Sequence, residues 1–351
     1  MNYVPKDSWK VAVTYIGTVV GAGFASGQEV LKFFSSHGLP GIAGVCLSAL
    51  LFSVSGILVL GSGRALRAVS YKEVFEYICG RPLGFILEKL ITLFLFATLS
   101  VLLAGSGAVL AQQLDVPYLL GTLLTVVLTI ITVLSGIKGI IRANSIIVPL
   151  LTVGCLIVGL SSISISSLIC LNVNQIAVPA SSTPHWLLSA FTYVAYNLTL
   201  STGVLAPLGH EIGKKNALLA GGLIGGLLLG ALASLINLAI LSNLAGPLAK
   251  LPEVPMLQLA ASVGRPFQLF YAIILWAEIF TTIIGNVYGV TTRIVEGFNL
   301  SYKRTLTVIM LLAVCFSQVG FSRLVGFLYP LFGYVSLIFL VALFTRPLKR
   351  K

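Results

Sequence analysis

Long apolar stretches separated by short polar, Pro- and Gly-containing segments run along the whole chain. A helix needs about 20 mainly apolar residues to cross the hydrocarbon core of a bilayer. Ten such stretches are predicted to be membrane-spanning helices: 9–35, 40–62, 84–113, 117–136, 143–160, 185–209, 216–243, 265–292, 304–320 and 323–345. The stretches lack the period-two alternation of strands. The pattern therefore predicts an all-α polytopic membrane protein.

The composition agrees with this prediction and excludes several classes of protein. Apolar residues make up 57% of the chain and charged residues only 9%, whereas soluble domains carry about 25% charged residues. The five cysteines have no CxxC spacing, so neither a disulfide framework nor a transition-metal site is predicted. The three histidines, His37, His185 and His210, are far apart in sequence. We therefore predict no enzyme, no catalytic residue, no cofactor and a single transmembrane domain over residues 1–351.

The positive charges predict the orientation of the chain in the membrane. If the N-terminus is cytoplasmic, 18 of the 22 Lys and Arg residues fall on the cytoplasmic side. Such an excess is typical of cytoplasmic loops and requires an even number of spans. It also explains the net charge of +12 without a nucleic-acid partner. Both termini are therefore predicted to be cytoplasmic, in a multi-pass protein whose surroundings are the lipid bilayer.

Two of the predicted spans contain helix-breaking residues at membrane depth. The first span carries glycines at 17, 21, 23 and 27, and the sixth carries polar residues from Thr192 to Thr202 followed by Pro207. The two segments lie about half a chain apart, each in the first helix of a five-span half. Corresponding interrupted helices in two halves indicate the binding site of a secondary transporter. The alternative is close packing of small residues between helices.

This layout resembles the LeuT-type fold of the amino acid–polyamine–organocation superfamily. The stretch from Gly17 to Glu29, GTVVGAGFASGQE, resembles the YkvI-type membrane proteins of bacteria. The resemblance implies a 5+5 inverted repeat, with repeats at about 9–160 and 185–345 and discontinuous helices 1 and 6. It also implies a bundle of spans 1, 2, 6 and 7, a scaffold of spans 3, 4, 8 and 9, and transport by alternating access across a bacterial cytoplasmic membrane.

A cation site is predicted between the first and eighth spans. In the eighth span, Thr281 and Thr282 follow Glu278 by three and four residues, so their hydroxyls lie one turn further along the same helix face. The resemblance implies sodium, because sodium-coupled members pair a similar arrangement with carbonyls of the first span. Carried over to this chain, the ligands are the carbonyls of Gly17, Val20 and Glu278 and the hydroxyls of Thr281 and Thr282.

Glu278 departs from the pattern of the superfamily, which has a small residue at that position. A carboxylate inside a span is costly and is a functional hypothesis by default. Glu278 is predicted to recognise a substrate amine, to carry a proton or to form a structural pair. Proton coupling through Glu278 and a nutrient-sensing receptor on the same fold therefore stay open as alternatives. Glu29 is predicted either to complete the substrate pocket or to pair with Lys32.

The substrate pocket is predicted at the two interruptions, where backbone amides and polar groups can hold a small head group and aromatic rings can exclude water. The substrate is expected to be a small amino acid or a related zwitterion or amine. The predicted substrate-binding residues are Gly21, Ala22, Gly23, Phe24, Ser26, Gly27, Phe191, Tyr193, Tyr196, Asn197 and Glu278. The sequence indicates no particular oligomeric state.

The topology is testable by cysteine labelling. In a variant without the five native cysteines, a single cysteine at Lys351 or at Lys303 should react only from the cytoplasmic side, because both lie in positively charged segments. A cysteine at Gly246 serves as the outward-facing control. Labelling of position 351 from outside alone would contradict the even number of spans.

Overall fold

The computed structural model describes residues 5–135, 140–164, 181 and 183–345, and within these ranges the fold is built from α-helices. The helices are α1 Pro5–Val19, α2 Ala22–Ala25, α3 Gln28–Phe33, α4 Leu39–Leu66, α5 Tyr71–Cys79, α6 Arg81–Leu114, α7 Tyr118–Ser135, α8 Ile140–Ser162, α9 Trp186–Ile212, α10 Lys215–Asn243, α11 Pro255–Ala260, α12 Arg265–Phe298, α13 Tyr302–Ser317 and α14 Phe321–Thr345. A 3-10 turn, Ser35–His37, connects α3 to α4.

Each of the ten predicted spans coincides with helical structure, which confirms an all-α polytopic membrane protein. Five described helices are long and apolar enough to cross a membrane by themselves: Leu39–Leu66, Arg81–Leu114, Lys215–Asn243, Arg265–Val295 and Phe321–Thr345. Tyr118–Leu134 and Ile146–Ser162 are shorter apolar helical segments. The positively charged residues 346–351 and most of the predicted outer segment 161–184 lie outside the described residues.

Several spans begin where the sequence contains a proline after a glycine or a short polar segment. Pro40, Pro82 and Pro266 occupy the first turns of α4, α6 and α12. Proline is favourable there because the first helical N–H groups have no partner within the helix and its φ is already helical. Gly80 and Gly264 precede α6 and α12 with positive φ angles of 82° and 135°, which other residues rarely adopt. These chain breaks therefore separate the spans as the sequence predicts.

The first span is interrupted as predicted. α1 ends at Val19, Val20 and Gly21 lie outside any helix, and the chain continues through the short helices α2 and α3. The interruption divides the span near its middle. Because a lipid-exposed break would leave backbone groups unpaired, such a break is tolerated only where protein or a cavity surrounds it.

The predicted discontinuity of the sixth span is wrong. Residues Trp186–Ile212 form one continuous helix, α9, with Pro207 near its end. The side chains of Thr199 and Thr202 donate hydrogen bonds to the carbonyls of Ala195 and Leu198, four residues earlier. Hydroxyls that bond within their own helix need no break in the backbone, so the polar residues here indicate a helix buried in protein.

The helices pack in two groups. In the first group α4 lies along both α9 and α10, and α10 lies along α1. In the second group α6 packs against α7, α12 and α13. The grouping matches the bundle and scaffold that the resemblance implies. α8 and α14 contact both groups, since α8 lies against α10 and α12 while α14 lies against α9 and α6.

Candidate functional site

Among the described residues, the interruption after α1 leaves three backbone carbonyls, those of Gly17, Thr18 and Val20, without the hydrogen bonds of a helix. The Gly21 N–H turns back to the carbonyl of Val19 at 2.9 Å instead of reaching the carbonyl of Gly17. Within the described chain, no backbone N–H is bonded to the carbonyl of Gly17 or of Val20. These are the two carbonyls that the sequence analysis assigns to the cation. They lie at the C-terminal end of α1, where the helix dipole is negative.

The segment that follows the interruption is held by contacts to its backbone. The Ser26 hydroxyl donates a hydrogen bond to the carbonyl of Gly23 at 2.7 Å, which caps the short helix α2. Gly27 follows with a φ of 81°, and a Cβ there would lie 2.8 Å from the side chain of Met256. The Met256 N–H donates in turn to the carbonyl of Ser26 at 3.0 Å. The turn between α2 and α3 is therefore fixed against the first turn of α11.

One face of α12 lies against α2. The Tyr271 hydroxyl donates a hydrogen bond to the carbonyl of Ala25 at 2.6 Å, and the two helices are in contact. Residues 7 and 11 positions further along a helix share the face of the first. Glu278 and Thr282 therefore lie on the face that carries Tyr271, with Glu278 about 10 Å further along the helix axis.

α8 runs antiparallel to α12, because Cys155 contacts Tyr271 and Ser162 contacts Ser262. The direction from Tyr271 to Glu278 therefore leads toward Val148 of α8, which lies beside Gly17 near the end of α1.

The three polar residues of the predicted cation site in α12 bond to one another. The Thr281 hydroxyl donates to the carbonyl of Glu278 at 3.1 Å, and the Thr282 hydroxyl donates to Oε1 of Glu278 at 3.4 Å. Glu278 is buried, and its Oε2 atom is without a hydrogen-bond partner. The structure thus brings Glu278, Thr281 and Thr282 together. Their distances to the carbonyls of Gly17 and Val20 stay a prediction.

Glu29 lies at the interruption, in contact with α2, as expected for the first of its two predicted roles, completing the substrate pocket. A Cβ added to Gly23 would lie 2.0 Å from Oε1 of Glu29, so the carboxylate packs directly on the backbone of α2. Oε2 accepts a hydrogen bond from the hydroxyl of Tyr196 in α9. The proposed pairing with Lys32 is not among the ion pairs of the described residues. The signal in the sequence that points to Glu29 is a carboxylate six residues after Gly23.

Aromatic rings surround the hydroxyl that Glu29 binds. The ring centroid of Tyr196 lies 5.8 Å from Phe33, 5.7 Å from Tyr193 and 5.2 Å from Tyr329. These residues come from α3, α9 and α14 and are all buried. Phe33 and Tyr329 were not among the predicted pocket residues, because nothing in the sequence shows that α3 and α14 meet α9 here. We call Phe33, Tyr193, Tyr196 and Tyr329 the aromatic cluster.

The other predicted pocket residues differ in their surroundings. Asn197 is buried, but its side-chain amide donates to the carbonyl of Tyr193 at 3.1 Å within α9. Phe191 lies partly buried on the same helix. Phe24 is fully buried in α2, next to Ala22, which is also buried. By contrast, Gly21 is partly exposed, and a Cβ added there would meet no atom within 4 Å.

Solved structures with the same fold define the class of this protein. The chain superposes on the inward-facing conformation of Mhp1 with a TM-score of 0.65 and 14% identity, covering 96% of this chain and 75% of that one. It also matches a mutant of the Eremococcus coleocola manganese transporter (TM-score 0.63, 16% identity, 96% and 78% coverage) and MhsT in complex with L-phenylalanine (TM-score 0.60, 18% identity, 93% and 87% coverage). The protein has the LeuT-type transporter fold.

Relatives in sequence place the chain in a family. It is 36% identical over 344 residues to the "Uncharacterized membrane protein YkvI" of Bacillus subtilis (strain 168), covering 97% of this chain and 96% of that protein. It is also 29% identical over 338 residues to the "Uncharacterized protein YyaD" of the same organism, covering 96% of each. No protein-family model matches the chain. The chain belongs to the YkvI family of membrane proteins.

The packing of Glu29 on Gly23 predicts different effects for two neighbouring glycines. Gly23→Ala should lower the free energy of unfolding by about 1–3 kcal/mol, because the new Cβ collides with the carboxylate. Gly21→Ala should change it by less than about 0.5 kcal/mol, since the site is open and the φ of −111° suits any residue. Thermal unfolding of both variants in the same detergent measures the difference. Equal losses would contradict this placement of Glu29.

Proposed function

We propose that the protein is a secondary active transporter that couples sodium to the movement of a small amino acid or a related zwitterion or amine. The observation that carries the proposal is that the carbonyls of Gly17 and Val20, at the end of α1, receive no backbone hydrogen bond from the described residues. They lie in the half of the interruption toward which the Glu278 face of α12 extends. A membrane protein has reason to keep such unpaired groups only where a ligand or water satisfies them.

The proposed ligand set suits an alkali cation. It consists of the carbonyl oxygens of Gly17, Val20 and Glu278 and the hydroxyl oxygens of Thr281 and Thr282. Hard oxygen ligands favour hard cations over transition metals. Each threonine hydroxyl has lone pairs left for a cation while it donates its proton, so the bonds to Glu278 are compatible with this role. The negative end of the α1 dipole adds a favourable field.

The location of the proposed cation gives it a way to influence conformation. The cation would join α1, in the group with α4, α9 and α10, to α12, in the group with α6, α7 and α13. A ligand shifts a conformational equilibrium only by its difference in affinity for the two states. A cation site formed by both helix groups loses ligands when the groups move apart. Its affinity for the cation therefore differs between the two states. We therefore propose transport by alternating access.

The proposed substrate site lies beside the cation, around α2. The residues Gly21, Ala22, Gly23, Phe24, Ser26 and Gly27 supply the backbone of the interruption, and Tyr193 and Tyr196 supply aromatic surface from α9. MhsT, which has the same fold, is solved with L-phenylalanine bound, and this supports an organic substrate. We further propose a bacterial cytoplasmic membrane, with both termini inside, because YkvI is a bacterial membrane protein.

Proton coupling through Glu278 is the second candidate. Glu278 is buried, and Oε2 has no hydrogen-bond partner, so this oxygen is available to a proton or to a cationic group of the substrate. A nutrient-sensing receptor would use the same pocket without net movement of its ligand. Accumulation of radiolabelled substrate in proteoliposomes separates a transporter from a receptor, and its response to imposed sodium or pH gradients separates the two coupling ions.

Sodium should stabilise the protein and increase its affinity for substrate. Replacing both hydroxyls in Thr281→Ala/Thr282→Ala removes two of five proposed ligands, so the concentration of sodium giving half of the thermal stabilisation should rise at least about tenfold. The control is Thr291→Ala/Thr292→Ala, which removes an adjacent pair of hydroxyls from the same helix outside the proposed site. Thermal unfolding titrated with sodium or potassium chloride measures both.

Two results would contradict the sodium site. One is stabilisation by potassium equal to that by sodium, and the other is an unchanged sodium response in the Thr281/Thr282 double variant. Substrate must increase sodium affinity by the same factor by which sodium increases substrate affinity. A response to pH that Glu278→Gln abolishes would instead favour proton coupling.

A further inference from the structure

The protein itself supplies a negative charge at the interruption of the first span. Exposed amides at a break suit an anion, and in a zwitterion transporter a substrate carboxylate can take that position. Here the carboxylate of Glu29 packs on Gly23 of α2. The place that a substrate carboxylate would need is therefore occupied by a side chain of this protein.

Glu29 takes part in no ion pair among the described residues. It is buried, with 6% of its surface exposed. A buried carboxylate costs several kcal/mol unless a partner compensates it. Its two oxygens can accept about four hydrogen bonds, and the hydroxyl of Tyr196 supplies one of them. The acceptors that remain suit a group with several N–H donors.

The aromatic cluster offers a second interaction with a cation. Phe33, Tyr193, Tyr196 and Tyr329 are buried rings with centroid separations of 5.2–5.8 Å to Tyr196 or to each other. Ring faces attract ammonium groups, most strongly when water is excluded. The hydroxyl of Tyr193 is fully buried without a hydrogen-bond partner. This hydroxyl is independent of Glu29 and is a polar group that a ligand can satisfy.

We infer that Glu29, with the aromatic cluster, binds the ammonium group of the substrate and makes the transporter selective for amines that need no carboxylate. The inference rests on the proposed transport function and narrows its substrate class. Glu278 is then not needed to bind the substrate, and its carbonyl stays a proposed ligand of the coupling cation.

Matched compounds test this assignment on the wild-type protein. Binding is measured by calorimetry at pH 7 for three series: alanine, ethylamine and propanoate; leucine, 3-methylbutylamine and 4-methylpentanoate; phenylalanine, 2-phenylethylamine and 3-phenylpropanoate. The amines are cationic at this pH because their pKa is near that of lysine. In at least one series the amine should bind at least as tightly as the amino acid. In the same series the acid should bind at least about thirtyfold more weakly than the amine.

A variant then attributes the selectivity to Glu29. Glu29→Gln keeps the size of the side chain but removes its charge, and it should weaken binding of the amine at least about tenfold without weakening binding of the acid. The matched control is Glu211→Gln, a carboxylate that is exposed and paired with Lys10 far from the interruption. It should bind the amine as the wild type does. Gel filtration confirms that both variants fold.

The assignment and the sodium site fail in different ways. An acid that binds as tightly as its amine, absence of binding by every amine, or a folded Glu29→Gln with wild-type affinity would overturn the role of Glu29. The wild-type series need no variant, so they decide even if Glu29→Gln does not fold. All titrations are repeated with potassium in place of sodium. Loss of sodium dependence with intact selectivity for amines overturns only the coupling ion.

Discussion

The interruption at Val20 and Gly21 is the constraint on which the rest of the structure depends. A bilayer offers no hydrogen bonds to an unwound backbone, so the surrounding helices must satisfy or enclose every group that the interruption releases. After the interruption, Tyr271 in α12 and Met256 in α11 bind the carbonyls of Ala25 and Ser26. Before Gly21, the carbonyls of Gly17 and Val20 receive no backbone partner from the described residues. The backbone after the interruption is therefore bound to neighbouring helices, whereas the carbonyls before it are not.

The segment that follows the interruption also connects the two helix groups. α2 belongs in sequence to the first span, yet it touches α6, α8 and α12. α1 packs instead on α10 and α9. The interruption therefore lies between α1, which packs on the first group, and α2, which contacts α6 and α12 of the second group, whereas α3 packs again on α9 and α10. Val20 and Gly21 lie outside any helix, so the backbone angles can change there when the groups move.

The sequence predicted the positions of the spans and the first interruption well, for a physical reason. Four glycines within eleven residues destabilise a helix whatever surrounds it. The sixth span was misjudged because its signal is ambiguous. Thr199 and Thr202 can open a helix or bond to their own helical carbonyls, and the difference depends on neighbours that the local sequence does not contain. In the structure those neighbours are α4 and α14.

The partner of Glu29 could not be predicted for a related reason. Lys32 is one turn away in sequence and is a plausible helical partner, whereas Tyr196 is 167 residues distant. Only the packing of α3 against α9 brings the carboxylate and the hydroxyl together. The contacts of Glu278 with Thr281 and Thr282 were easier to predict, because residues three and four positions apart are close in any α-helix.

The segment of the first span that follows the interruption is attached through its main chain. Tyr271 and Met256 bind the carbonyl oxygens of Ala25 and Ser26, and every amino acid at those two positions offers the same oxygen. Substitutions at 25 or 26 can therefore accumulate over evolutionary time without breaking the attachment, provided that the new side chain fits. Tyr271 has no such freedom, because its hydroxyl is the donor. A change at residue 271 would have to be matched by a new donor elsewhere on α12.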